Sequence, residues 1–297
     1  TTGALNINGG NAALSVNDAS AVGTQFTFGS LVRTNNSTIT FKGMTTDIGA
    51  AGNEKVTFTS APAILNGTIG TWAVIQAAGG TYATISGGNI FTATYGGTGD
   101  LDTAAGSTQL FDATSGTLTG ARSVYAFRTN TDIDLSGFAL NVGAANSSTL
   151  GQAGIILNNG ANIDGVGSIL NFGTNALNVY VDGAATSAIN VPITNFRSNA
   201  NNTLTTGFVK FGPGTLELSA ANRFQSNVQV NQGALSLTSP NAIPMFGNLN
   251  AVVGSEVVIQ PGATVALNGN NQEFGNLSGT SVFSPVQNMG GTLDLGT

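Results

Sequence analysis

The stretch FVKFGPGTLELSAANRFQSNVQVNQGALSLTSPNAIP, Phe208–Pro244, decides the fold. Its apolar residues fall in short alternations, Leu216 and Leu218, Val228 and Val230, Leu235 and Leu237, separated by Gly, Asn, Ser and Pro. Alternation over so few residues between turn formers is the pattern of half-buried strands. It puts Leu216 and Leu218 inside and Glu217 outside. GTLEL at 214–218 and GALSL at 233–237 are versions of one motif, begun nineteen residues apart. The motif returns as GALNI at 3–7 and GTLDL at 291–295, with looser forms GTL at 116–118 and GFALNV at 137–142. Repetition at a short period is the signature of a solenoid, in which each unit buries its apolar face only by stacking on the next. The expected fold is therefore all-β, a right-handed parallel β-helix. A coil of about twenty residues, holding two or three short strands and stacking at about 4.8 Å, would give on the order of fourteen coils and a rod about 65 Å long. Gly supplies turns with positive φ, and Asn tolerates that region and can form ladders at stacked corners.

Outward from this stretch the same signals recur: LNI at 5–7, FTF at 26–28, VTF at 56–58, LNVYV at 177–181, LEL at 216–218, VQV at 228–230 and VVI at 257–259. No long segment has apolar residues at helical spacing, and 42 glycines interrupt the chain too often for ordinary helices. Residues 64–125 break the rhythm. They carry Trp72, Tyr82, Phe91, Tyr95 and Phe111 among the glycine pairs 79–80, 87–88 and 96–97. The chain divides into N-terminal coils at 1–63, an irregular or decorated β region at 64–125 and motif-bearing coils at 126–297, read as one continuous solenoid.

Hydrophobic residues make up 41% of the 297 positions, enough for a substantial core. Charged residues are only 7%, against roughly a quarter in ordinary soluble domains, so Thr, Ser, Asn, Gln and Gly must cover the surface. The net charge is −6 and the eight basic residues are scattered, which argues against nucleic-acid binding. No apolar run is long enough to span a membrane as a helix. With no Met at position 1, the chain reads as processed or cut from something longer. Absence of Cys excludes disulfides, thiolate metal sites and cysteine nucleophiles, and His is absent too. A Cys-free, low-charge, Thr/Asn/Gly-rich composition suits large exported bacterial proteins, which fold outside the cell without oxidation.

The opening stretch resembles the autotransporter-associated β-strand repeat, whose pattern runs L-x-K-x-G-x-G-T-L-x-L, then N-x-[YF], then [VI] and G-x-L-x-L. Lys210, Gly212, Gly214, Thr215, Leu216, Leu218, Asn222, Phe224, Val228, Val230, Gly233, Leu235 and Leu237 match it, while Phe208 and Ser226 stand where Leu and Gly are commoner. The likeness extends upstream through AFRTNTDIDLSGFALNV, GIILNNGANIDG and INVPITNF, and downstream through QEFGNLSG. TWAVIQAAGGTYATISGGNI at 71–90 resembles a Trp-Ala segment of giant surface proteins that carry these repeats. The resemblance implies an exported parallel β-helix of the kind used as adhesins, surface fibres and spacers.

Candidate chemistry is sparse. NTDID at 130–134 is similar to an element of pectin-hydrolysing β-helix enzymes, but catalysis there needs further paired carboxylates and a histidine, which this chain lacks. No catalytic residue and no cofactor is expected, and the chain is read as not an enzyme. Asp100, Asp102, Asp112, Asp132 and Asp134 concentrate acidity in one third of the chain, making Asp100, Asp102, Asp132 and Asp134 weak calcium candidates against the blander reading of solvated loop carboxylates.

Two functional readings follow. In the first the chain is a segment or subunit of an exported cell-surface or extracellular fibre. Both ends carry the strict motif, so Gly3, Leu5 and Ile7 and Gly291, Leu293 and Leu295 are expected to join head to tail with another copy or with neighbouring repeats. In the second it is an adhesin passenger that binds glycans or a host surface, with sugar rings stacking on Trp72 or Tyr95. A polysaccharide-active enzyme remains a fold-level analogy only.

Overall fold

The computed structural model describes residues 3–18, 23–45, 48–49, 54–77, 79–143, 152–173, 175–183, 185–195, 207–224, 227–248, 251–254, 256–272, 286–288 and 292–294. Among these the protein is all-β, with a single 3₁₀ turn at Leu101–Thr103. Each of the seven apolar signals quoted above lies in a strand.

Three ladders of parallel strands run through residues 122–294. The long ladder stacks Arg122–Thr129, Gln152–Leu157, Ala176–Val181, Gly207–Phe211, Asn227–Val230, Val257–Ile259 and Val286–Asn288 in chain order. The short ladder stacks Ile133–Asp134, Ile163–Asp164, Thr186–Ile189, Thr215–Leu218, Ala234–Leu237, Thr264–Ala266 and Thr292–Asp294. A third, Ala139–Val142, Ile169–Asn171 and Ile193–Thr194, branches from the first half of Arg122–Thr129. The chain visits the ladders in turn and returns to the first one layer further on, so successive strands are parallel. The sheets so formed curl into half-barrels.

Alternation and register together make the core. Leu216 pairs with Leu235, Leu235 with Val265 and Val265 with Leu293, while Ile133, Ile163, Ile189, Leu218 and Leu237 form the neighbouring column. All but Leu293 are buried. Each such side chain contributes about 1.5–3 kcal/mol by leaving water. The corners behave as the sequence suggests: six of the seven non-glycine residues with positive φ among the described residues are Asn. Asn171 donates to Asn141 one layer below at 3.0 Å, and Asn190 donates to Asp164 at 2.6 Å.

The step length departs from expectation. Phe208 pairs with Val228, twenty positions on, but Leu177 pairs with Phe208 thirty-one on and Val228 with Val257 twenty-nine on. The short ladder holds seven strands, fewer layers than the roughly nine that a twenty-residue step would fit into residues 122–294. The reason is the third ladder. In the circuit from 207 to 227 its strand shrinks to one bridge, Thr194 with Arg223, whereas earlier circuits spend residues on a full third strand. Between Leu237 and Val257 an antiparallel hairpin, Met245–Asn248 with Ala251–Gly254, lengthens the step again.

Residues 3–58 build a separate, smaller stack. Leu5–Asn8 lies under Leu31–Thr34, Asn11–Val16 under Thr38–Gly43 and Thr24–Phe28 under Glu54–Phe58, all parallel. Ala73–Ala77 adds a layer on Thr38–Gly43. The chain then reverses through antiparallel Gly79–Ser86 and Asn89–Thr92, and Asn89 reaches Thr57 of the opposite face. These strands arch over the end of the small stack. The region 64–125 is thus divided between the two stacks, since Gly97–Asp100 and Gly106–Ser115 pair onward to Arg122–Thr129 in the long ladder.

The stacks lie side by side, in reversed order. Tyr82 donates to the Phe127 carbonyl, Thr71 meets Gln152 and Asn178, Asn36 and Thr38 meet Asn231, and Asn11 bonds Gln232. Early strands of the small stack therefore lie beside late strands of the large one. At the arch end the seam is apolar: Val74 and Tyr82 share one buried cluster with Ala126, Ile156, Tyr180 and Phe211. Toward the first strands it becomes a row of amide and hydroxyl bonds.

Candidate functional site

Arg128 organises a polar recess at the large stack. It stands on Arg122–Thr129, directly beside Asp112 in the register that pairs Gly106–Ser115 with that strand. Its Nε and Nη2 donate to the two Asp112 carboxylate oxygens, both at 2.7 Å, a two-point fork that fixes both groups. The Asp112 carboxylate holds the Arg128 guanidinium above its usual range. The guanidinium lies 4.5 Å from the Tyr95 ring centre, and the Tyr95 hydroxyl is 2.9 Å from that of Thr81. Burial pushes the Tyr95 phenol up to about 12, against the pull of Arg128.

Thr114, near the end of Gly106–Ser115, and Asn130 and Asn159, just past the ends of the next two strands, rim the recess, with the buried Thr129 and Asn158 at its floor. The volume is about 160 Å³. Asn158 is committed: it accepts from Gly80 N–H at 3.0 Å and donates to the Gly80 carbonyl at 3.2 Å, clamping the small stack to the large. Asn130 and Asn159 are exposed, and Asn159 has φ +57°. The arrangement offers hydrogen-bond donors and acceptors held in place by paired charges.

Lys210 is the other unusual group. It occupies an interior position of the long ladder, between Val179 and Val230, and is fully buried. Its ammonium donates to the carbonyls of Gly212, Gly214 and Gln232, so all three N–H groups are spent. Burial pushes its pKa down to about 7. The glycines of the motif make this possible: Gly212 has φ +81°, and a side chain at Gly233 would strike the Lys210 Nζ and the Gly212 and Gly214 carbonyls.

The residues singled out in the sequence are dispersed. Trp72 is 6% exposed, packed in the small stack's core, with the Arg33 guanidinium 5.1 Å from its ring centre. It presents no open face for a sugar to stack on. Tyr95 is half-buried and one of its faces lies under Arg128. Asp100 accepts from Asp102 N–H at 2.9 Å, and Asp102 takes the Thr119 N–H and hydroxyl and an ion pair with Arg122 at 3.0 Å. Asp132 accepts from Asn162, and Asp134 from Ser136 N–H. No three carboxylates gather in a metal-holding group among the described residues. Gly3 accepts from Gly29 N–H, while Leu5 and Ile7 pair with Leu31 and Arg33 in the small stack. Leu293 packs against the large core, and Gly291 and Leu295 lie outside the described residues.

Compared with protein families, with curated proteins and with solved structures, the chain matches none. The recess itself had no signal in the sequence. Asp112 and Arg128 are sixteen positions apart, and only strand register brings them together.

Proposed function

We propose that the chain is a structural segment of an exported bacterial surface or extracellular fibre, a right-handed parallel β-helix whose stacked layers are its working part. The observation that carries this reading is the short ladder, seven parallel strands in chain order, with Ile133, Ile163, Ile189, Leu218 and Leu237 stacked in one buried apolar column. A column of that kind transmits load through many equivalent backbone bonds and has no need of a reactive centre. The resemblance of the 208–237 stretch to the autotransporter-associated repeat agrees with this reading, and Lys210, Gly212, Gly214 and Gly233 of that stretch form one corner. Further layers, from another copy or from neighbouring sequence of the same kind, are the natural partners. No catalytic residue and no cofactor belongs to this reading. Labelling intact bacterial cells with antibody to the chain tests it. Label outside the cell envelope is expected, and label confined to the cytoplasm would overturn it.

A further inference from the structure

The geometry points to the Arg128 recess as a binding site for one neutral glycosyl unit, independently of the fibre reading. Charge selects the ligand class. Among the described residues Asp112 is the only carboxylate lining the recess, and both its oxygens are held by Arg128, so a divalent cation finds no free pair of anionic ligands. An anion would meet a guanidinium already neutralised by that same carboxylate, with no second cation among the lining residues. No apolar side chain lines the recess among the described residues either, which leaves no hold for a hydrocarbon. What remains is a hydroxyl-rich neutral molecule.

The donors and acceptors suit it. The fork leaves Arg128 Nη1 outside its two bonds to Asp112, and each carboxylate oxygen keeps a further lone pair. Such a pair can donate to one sugar oxygen and accept from the adjacent hydroxyl. Asn130, Asn159 and Thr114 supply neutral partners around the rim. The pair is held before any ligand arrives, by the fork on one side and Tyr95 beneath, so little ordering cost falls on binding. About 160 Å³ accommodates a single sugar ring.

The test is titration of the isotope-labelled full chain, followed by amide NMR, with glucose, galactose, mannose and N-acetylglucosamine, each to about 50 mM, a range that detects millimolar affinity. At least one sugar is expected to give saturable shifts at Asn130 and Asn159. In the Asn130→Ala/Asn159→Gly double variant, chosen because both residues are exposed and Gly accepts the positive φ, affinity should fall roughly tenfold. Sodium acetate and calcium chloride should give no saturable change. The absence of saturable shifts with every sugar, shifts that persist unchanged in the double variant, or saturation by acetate or calcium in their place would each overturn the assignment.

Discussion

Lys210 shows how a single residue can fix a corner of this fold. A lysine in an interior column would ordinarily be costly, because an ammonium loses its hydration there. Here three backbone carbonyls replace the water, and the turn that brings them together requires glycine at 212 and 233. Lys210→Met fills the column but takes the donor from those carbonyls. It should lower unfolding free energy by about 2–4 kcal/mol in urea titration. The pH dependence has a definite sign. With its pKa pushed down to about 7, the folded protein releases the Lys210 proton while the unfolded chain, near its ordinary value, still holds it. Unfolding free energy therefore rises between roughly pH 7 and 10, and Lys210→Met should remove that rise. A slope identical in the two proteins would contradict the burial of this charge.

At the scale of elements, the two faces of a strand should respond unequally. Leu216→Ala opens a cavity in a column continuous with Leu235 and Val265, and a loss of about 2–5 kcal/mol is expected from thermal or urea unfolding. Glu217→Ala removes only an exposed bond to Thr238 and should stay within about 0.5–1 kcal/mol. Gly80 lies where the arch meets the large stack, and a methyl there would strike the Tyr180 ring. Gly80→Ala should accelerate hydrogen exchange in Gly79–Ser86 and Asn89–Thr92 while Thr215–Leu218 and Ala234–Leu237 keep their protection. The strands and their inward faces were legible in the sequence because two-residue alternation is local, as at Leu216 and Leu218. The motif spacing was legible too, but it misled as a ruler: the nineteen-residue interval belongs to the one circuit whose third strand is reduced to the Thr194 bridge. The arch and the recess depend on register between distant strands, Thr57 with Asn89 and Asp112 with Arg128, which no local pattern encodes. Tyr82, one of the aromatics of 64–125, packs between the two stacks, a place that could not be read from a chain treated as one solenoid.

For the whole molecule, the reversed order of the stacks matters most. Asn11 bonds Gln232, and a side chain at Gly10 would touch Gln260, so the first layer of the small stack lies beside the late layers of the large one. Among the described residues, Asn11–Val16 and Val286–Asn288 each end their ladders, and their outer edges carry backbone groups with no strand beside them. Layers added at this end meet both stacks together, a broader junction than a single head-to-tail coil contact. The arch of Ala73–Thr92 joins two of the small stack's three ladders at its other end, while Leu31–Thr34 ends the third with no further strand beside it among the described residues. Cryo-electron microscopy of the purified chain at about millimolar concentration tests the stacking account most directly. Particles joined through the Asn11–Val16 and Val286–Asn288 edges are expected, with strand spacing of about 4.8 Å running unbroken across the contact. Single particles with those edges uncovered at the same concentration would contradict it.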